Sequence, residues 1–402
     1  MSLFKDLGLS PEICSNASKI GFIKPTEIQT AVIPKILSRM DLLGISQTGT
    51  GKSAAFILPI IQNLITNKKN PKPKEVKVLI LSPTRELAIQ LKDSLISLSG
   101  EIELKVEVAY GGVSRSTQID SIELGLDVLI ATPGRLLDII NHMSLDFVDL
   151  ACLVLDEADN MLDMGFLGDV KKIISYLPEK KQSLLFSASM PKQIEELAND
   201  LLKKPVKVQV SEESSVVDLV DHSVCFLEKS NKMYLLQSLL ENEKYSSVLL
   251  FCKTKLGGDR LVDYLNKIDI KSESFHSNKS QRAREEALSS FKDGNIRILV
   301  ATDVAARGID ISNISLVVNY NLPEDPRSYL HRIGRTARAG REGKAVSFCT
   351  EFEFPYLKNI EKTIRQKIRI DESQPFHKDI LQIMKESKRN SKKNNKKKRK
   401  SR

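Results

Sequence analysis

The sequence predicts an α/β chain of two doubly wound parallel sheets in tandem, followed by a basic tail, and three observations carry that expectation. Short apolar runs alternate with helical patterns, the pattern of parallel strands covered on both faces. The alternation restarts after a polar stretch at residues 211–215. With 402 residues and 41% hydrophobic content, the chain exceeds what one core organises and holds enough apolar residues to fill two.

In the first half the apolar runs at residues 42–45, 76–81, 128–131, 153–155 and 184–186 read as buried strands, with helical patterns such as 85–98 and 135–140 between them. In the second half the strands are expected at 224–227, 248–251, 298–301, 316–319 and 345–349. This divides the chain into a first domain at 1–210, a linker at 211–218, a second domain at 219–370 and a largely disordered tail at 371–402. Residues 385–402 carry 11 Lys and Arg against one acid, so the net charge of +10 lies entirely there and the rest of the chain is balanced. A run of that kind seeks phosphate or serves as a solubilising end.

Two motifs give the first half its chemistry. The run at 42–45 leads into SQTGTGKS at residues 46–53, a glycine-rich turn that opens a helix and aims backbone N–H groups at phosphate oxygens. Lys52 would reach the β- and γ-phosphates, and the Ser53 hydroxyl would sit on Mg²⁺. The run at 152–155 ends in Asp156, Glu157, Ala158 and Asp159. A buried strand ending in carboxylates lets Asp156 hold the hydrated ion and leaves Glu157 to orient or deprotonate an attacking water. Strand-loop-helix first and strand-acid later is the order a nucleotide-binding α/β domain needs, so hydrolysis of a nucleoside triphosphate is implied.

Further stretches follow in a fixed order. GFIKPTEIQ occupies residues 21–29, PTRELA 83–88, TPGR 132–135, DEAD 156–159 and SAS 187–189, with Gly111-Gly112 between the second and third. The second half supplies VLLFCKT at 248–254, QRAR at 281–284, ATDVAARGID at 301–310 and HRIGRTARAG at 331–340. With these the chain resembles the DEAD-box ATP-dependent RNA helicases over nearly its whole length before the tail, and the run MLDMGF at 161–166 with the short basic tail is most like the bacterial RhlE-type subgroup. It departs from the commonest family pattern at Glu27, Ser46, Ser189 and Ala337, without losing a charged catalytic group. Glutamate at 27 in place of proline is expected to loosen the loop that presents Gln29.

The resemblance implies two RecA-like domains and a role for each motif residue. Gln29 would read adenine beside a stacking Phe4, and Thr48, Gly49, Thr50, Gly51, Lys52 and Ser53 would cradle the phosphates. Gly308 would lie near the phosphates and Asp310 on the ribose, while Arg335 and Arg338, three apart on an expected helix, would act as arginine fingers alongside His331. Thr84, Arg85, Gly112, Thr132, Arg135, Arg284 and Thr302 would hold RNA through its backbone, and Asp159, Ser187 and Ser189 would link nucleotide state to RNA. ATP and Mg²⁺ are then the cofactors, and single-stranded or short-duplex RNA is the partner. The implied activity is RNA-dependent ATP hydrolysis that locally unwinds short duplexes or remodels RNA–protein complexes as two lobes close; the alternative is an ATP-gated RNA clamp. Ribosomal precursors and RNA-decay assemblies are the candidate contexts.

The five cysteines, Cys14, Cys152, Cys225, Cys252 and Cys349, are scattered and odd in number, which fits burial in a reducing cytoplasm. No apolar run approaches a membrane span, and the N-terminus has no signal-peptide pattern, so a soluble, cytoplasmic protein is expected. It is also expected to be a monomer.

Overall fold

The computed structural model describes residues 3–47, 49–210, 220–241, 244–306, 311, 314–336, 343–379, 382–383 and 385. The chain divides into two compact units, Met1–Glu212 and Glu213–Arg402. The first is built on strands β1 (Leu42–Ile45), β2 (Val76–Leu81), β3 (Val106–Ala109), β4 (Leu126–Ala131), β5 (Cys152–Leu155), β6 (Gln182–Ser187) and β7 (Val206–Gln209). They form one sheet in the order β3-β4-β2-β5-β6-β1-β7, and every pairing is parallel.

The second unit repeats the wiring with β8 (Val220–Phe226), β9 (Val248–Phe251), β10 (Ser272–Phe275), β11 (Ile298–Ala301), β12 (Leu316–Asn319), β13 (Gly343–Cys349) and β14 (Arg369–Ile370). Its order, β10-β11-β9-β12-β13-β8-β14, is that of the first sheet strand for strand. Because side chains alternate across a strand, each sheet feeds two cores. Val78 and Ile80 of β2 pack into one and Leu79 and Leu81 into the other. In the second unit Leu249 and Phe251 of β9 part in the same way from Val248 and Leu250.

All ten expected strands are present, with ends shifted by up to four residues. The four that the apolar runs did not mark are β3, β7, β10 and β14, the two edges of each sheet. An edge strand needs no continuous apolar run, and β7 alternates half-buried with exposed residues. The linker at 211–218 lies outside the described residues, as does nearly all of the basic run. The described residues 371–379 fall in the stretch expected as tail. Residues 371–379 lie against β8, where Asp371 N–H donates to Val224 O at 2.9 Å and Lys378 N–H to Phe226 O at 2.9 Å, and the Gln374 amide reaches Phe226 O at 3.1 Å. The cysteines are free, four of them buried. No helix among the described residues is long and apolar enough to cross a membrane.

Candidate active site and nucleic-acid face

The phosphate loop connects β1 to the helix Lys52–Thr66, both fully or largely buried, so its ends are fixed. Gly49 and Gly51 adopt φ of 88° and 92°, a left-handed conformation open chiefly to glycine. Ser46, where the family usually has alanine, sets its hydroxyl 3.0 Å from that of Thr50, which in turn donates to Gln47 O at 2.9 Å. Lys52 is 7% exposed and donates to Ser46 O at 2.5 Å. Ser53 follows in the first helical turn, and Thr48 lies outside the described residues.

Gln29 is fully buried and clasps this loop. Its Oε1 accepts from Thr26 N–H at 2.9 Å and its Nε2 donates to Gly51 O at 3.1 Å, while a Cβ on Gly51 would fall 2.6 Å from Nε2. With glutamate at 27 the turn before the helix Glu27–Leu37 is held by the bond from Thr26 N–H to Gln29 and by the Thr30 hydroxyl, which donates to Thr26 O at 3.0 Å. Phe4 departs from the expectation of an open stacking face. It is 4% exposed and packs in the same core as Ile28 and Val32.

The acids follow β5. Asp156 is 3% exposed, and its Oδ1 has no hydrogen-bond partner among the described residues. Burial pushes its carboxyl up to about 7, the neighbouring Glu157 charge adds to the rise, and Lys52 opposes it. A buried carboxylate with an unused oxygen, one residue from a second acid and close enough to Lys52 to feel its charge, is what a divalent cation would satisfy. Asp156 and the Ser53 hydroxyl therefore fit Mg²⁺. Glu157 stands at the N-cap of the helix Ala158–Asp163 with φ 53° and ψ 51°, unusual for a residue with a side chain. Its Oε2 accepts from the Asn160 amide at 2.7 Å. Asp159 Oδ2 accepts from both the N–H and the hydroxyl of Ser189 at 2.9 Å, and Ser187 Oγ accepts from Asp159 N–H at 3.3 Å. Ser187 ends β6 and its carbonyl accepts from Ser46 N–H at 3.1 Å, so one chain of bonds runs from the acid helix to the phosphate loop.

The expected RNA residues of the first unit gather at the C-terminal ends of β2, β3 and β4. Thr84 caps the helix Arg85–Ser99 by accepting from Leu87 N–H, and Thr132 precedes the helix Pro133–His142 with its hydroxyl turned to Ala109 O. Arg85 lies over Gly112, where φ is 93° and a Cβ would fall 2.2 Å from Nη1, so that position demands glycine. Arg135 donates to Val113 O at 3.0 Å and to Gln118 Oε1 at 3.1 Å, which makes it a brace for the segment after Gly112.

In the second unit Arg284 stacks its guanidinium 4.8 Å from the Phe275 ring centre, and Thr302 follows β11, 9% exposed. His331 and Arg335 line a shallow pocket with Asp303, Ser328 and Arg332. The helix expected to carry both arginine fingers ends at Ile333, with Gly334 as its C-terminal cap. Arg335 therefore sits in a turn, 8% exposed. Arg338, Gly308 and Asp310 lie outside the described residues.

Two residues were missed. Asn160 is one; its place three residues after Glu157 at a helix start was the available signal. Arg332 is the other. It donates to Asp303 at 2.5 and 2.7 Å, to Asn319 Oδ1 at 2.9 Å and to Asn321 O at 2.6 Å, knitting the ends of β11 and β12.

Paired parallel sheets of this wiring, with a glycine-rich phosphate loop after the first strand and an acid pair after the fifth, define a tandem RecA-like nucleotide hydrolase. The DEAD/DEAH box helicase family matches residues 26–197 and the helicase conserved C-terminal domain matches residues 231–340. The DEAD-box ATP-dependent RNA helicase CshA of Geobacillus kaustophilus is 40% identical over 368 residues, 92% of this chain and 78% of its own. The ATP-dependent RNA helicase DbpA of Bacillus subtilis is 40% identical over 369 residues, covering 92% and 76%. Among solved structures, Dbp5 of S. cerevisiae bound to RNA and ADP BeF3 is similar with a TM-score of 0.82 at 28% identity, over 92% of this chain and 96% of that one. The chain belongs to the DEAD-box ATP-dependent RNA helicases, a family of RNA-dependent ATPases.

Proposed function

We propose that this chain hydrolyses ATP on its first lobe and uses the cycle to open short RNA duplexes or strip RNA–protein contacts. The observation that carries the chemistry is the buried Asp156 carboxylate with an unused oxygen, beside Glu157 and within reach of the Lys52 charge. Lys52 would exchange the Ser46 carbonyl for phosphate oxygens. Ser53 and Asp156 would hold Mg²⁺, which when bound offsets charge on the phosphates. Glu157 takes a proton from water as the water oxygen attacks the γ-phosphorus, and the bond to the bridging oxygen of ADP breaks. Arg335 and Arg338, with His331, supply positive charge to the phosphoryl group, and Asp310 and Gly308 complete the nucleotide contacts. Gln29 keeps one amide hydrogen and one lone pair beyond its bonds to Gly51 and Thr26, which supports adenine reading. Thr48 to Gly51 cradle phosphate.

Thr84, Arg85, Gly112, Thr132, Arg135, Arg284 and Thr302 hold the RNA backbone, and closure of the lobes on RNA and ATP couples the two ligands. The bond chain through Asp159, Ser187 and Ser189 supports their part in that coupling. The chain acts as a cytoplasmic monomer of the RhlE-type subgroup on ribosomal precursors or RNA-decay assemblies. In Glu157→Gln, ATP and RNA binding stay while hydrolysis collapses by about 10²-fold or more. Turnover within a few-fold of the parent would remove that carboxylate from its role. A strand-displacement assay beside an RNA-retention assay separates the helicase from an ATP-gated clamp.

A further inference from the structure

We infer that Asn160 is a positioning residue for Glu157, holding one carboxylate oxygen so that the other faces the attacking water; this rests on the reading of Glu157 as the group that takes the water proton. Glu157 sits among charges, with Asp156 before it and Asp159 after it. A carboxylate so placed would swing away from its acidic neighbours unless something held it. Its backbone is already pinned in the left-handed region, and its carbonyl accepts from Met161 N–H at 3.1 Å. Among the described residues the side chain is pinned by one bond, from Asn160 Nδ2 to Oε2 at 2.7 Å, the short end of the range for N–H···O. That bond also fixes the amide's direction. An ionised carboxylate only accepts, so Nδ2 must face Glu157 and Oδ1 must turn away.

The second observation is what happens to Oδ1. It is buried and has no donor among the described residues, although Asn160 is only 6% exposed. A buried amide that satisfies one end and abandons the other works against folding, and an apolar residue of the same size would fit the site without that penalty. The amide is explained by the carboxylate it holds. The helix Ala158–Asp163 packs on β6 and on the helix Lys192–Leu201. The Ser189 hydroxyl serves Asp159, and the side-chain donor to Glu157 among the described residues is the Asn160 amide. Oε2 is occupied by the amide, and Oε1 is left for water.

Steady-state ATPase measurements on the full chain with saturating RNA test this through Asn160→Leu, which keeps the volume and removes the donor, and Asn160→Gln, which keeps a donor on a longer stem. The expected result for Asn160→Leu is a fall in kcat of about 10- to 100-fold, as a misplaced reacting group produces. The KM for ATP and the RNA needed for half-maximal stimulation stay within twofold, and Asn160→Gln recovers part of the rate. In a Glu157→Gln background, Asn160→Leu should change the residual rate little further, because the group that Asn160 positions can no longer take the water proton. An unchanged kcat in Asn160→Leu while Glu157→Gln is inactive overturns the positioning role and leaves the base role standing. A parent-like rate in Glu157→Gln overturns the base role itself. Loss of binding of a non-hydrolysable ATP analogue in step with kcat, in both Asn160 variants, would make Asn160 a support of the fold and also overturn the inference.

Discussion

The two lobes are wired strand for strand alike and place a buried lysine at the same point, the first residue of the helix after the first strand. Lys52 in the first lobe is 7% exposed and its ammonium is bonded to a neutral carbonyl, that of Ser46. Lys232 in the second is 2% exposed and bonded to both oxygens of Glu353, at 2.9 and 2.7 Å, and to Tyr320 O. Glu353 is held in turn by Asn321 at 3.0 Å and by the Thr350 hydroxyl at 2.9 Å. Two acids at non-equivalent positions differ in the same sense: Asp156, after β5, keeps an unpartnered oxygen, whereas Asp303, after β11, the equivalent of β4, is clamped by Arg332. One fold thus carries two electrostatic solutions. Charge left unneutralised inside the protein marks where a ligand completes the site, and charge neutralised inside it marks a lobe that serves as partner.

The contrast is broken most sharply at the arginines. Arg335→Ala in the full chain should lower RNA-stimulated turnover by about 10³-fold. Residues 1–210 alone should bind ATP weakly and hydrolyse it negligibly. Strong RNA-stimulated hydrolysis by the isolated first lobe would mean that the second contributes nothing to the chemistry.

Exchanging the lysines comes next. Lys232→Met leaves Glu353 charged and buried, and unfolding monitored by denaturant should show the second lobe weakened by about 3–5 kcal/mol. Lys52→Met should cost little stability and most of the ATP affinity. Equal destabilisation by both would show that Lys52 is as structural as its counterpart.

The acids should respond with opposite signs. Asp303→Asn loses the clamp on Arg332, a cost of about 2 kcal/mol given that Asp303 is one-third exposed. Asp156→Asn should abolish hydrolysis yet raise the melting temperature of the ligand-free protein, by about 3 °C for each kcal/mol recovered. The gain depends on pH. The folded carboxyl titrates at about 7, well above an unfolded aspartate. Between about pH 4 and 7 the unfolded chain gives up that proton and the folded chain keeps it, so ionisation draws the parent toward unfolding as pH rises. The difference between Asp156→Asn and parent should be full above pH 7 and vanish below about 4. A constant difference across that window would mean that Asp156 is paired.

The smallest effect is expected at the tail. Removing residues 385–402 should flatten the slope of log RNA affinity against log salt by about 3 to 4, for roughly five phosphate contacts at ~0.7 each. Turnover at saturating RNA should hardly change. An unchanged slope would make the run a solubilising end.

What the sequence revealed follows the same division between satisfied and unsatisfied groups. Central strands such as β2 and β9 are buried on both faces and announce themselves as unbroken apolar runs; β7, with Lys207 and Gln209 turned outward, does not. The phosphate loop and the acids were plain because their chemistry restricts residue type at fixed spacing. Arg332 and the Lys232–Glu353 pair were not, since their partners lie 29 and 121 residues away and only the folded sheet brings them together. Phe4 misled because an aromatic residue before the glutamine motif says nothing about whether its face is open.

The strand order also sets a timetable for the chain as it is made. β1 is the first strand synthesised, yet its neighbours are β6 and β7, the last two of its sheet, with Leu42 opposite Leu184 on one side and Val206 on the other. At the usual ~5–20 residues per second, roughly 10–30 s separate the emergence of β1 from that of its final partner. Through that interval an apolar four-residue segment with both edges unpaired awaits its sheet, and the loop that follows cannot take its phosphate-binding shape. β8 waits in the same way between β13 and β14. The phosphate loop is therefore among the first parts of its lobe to be translated and among the last to be built, and it can bind no nucleotide until the final strands of that lobe have arrived.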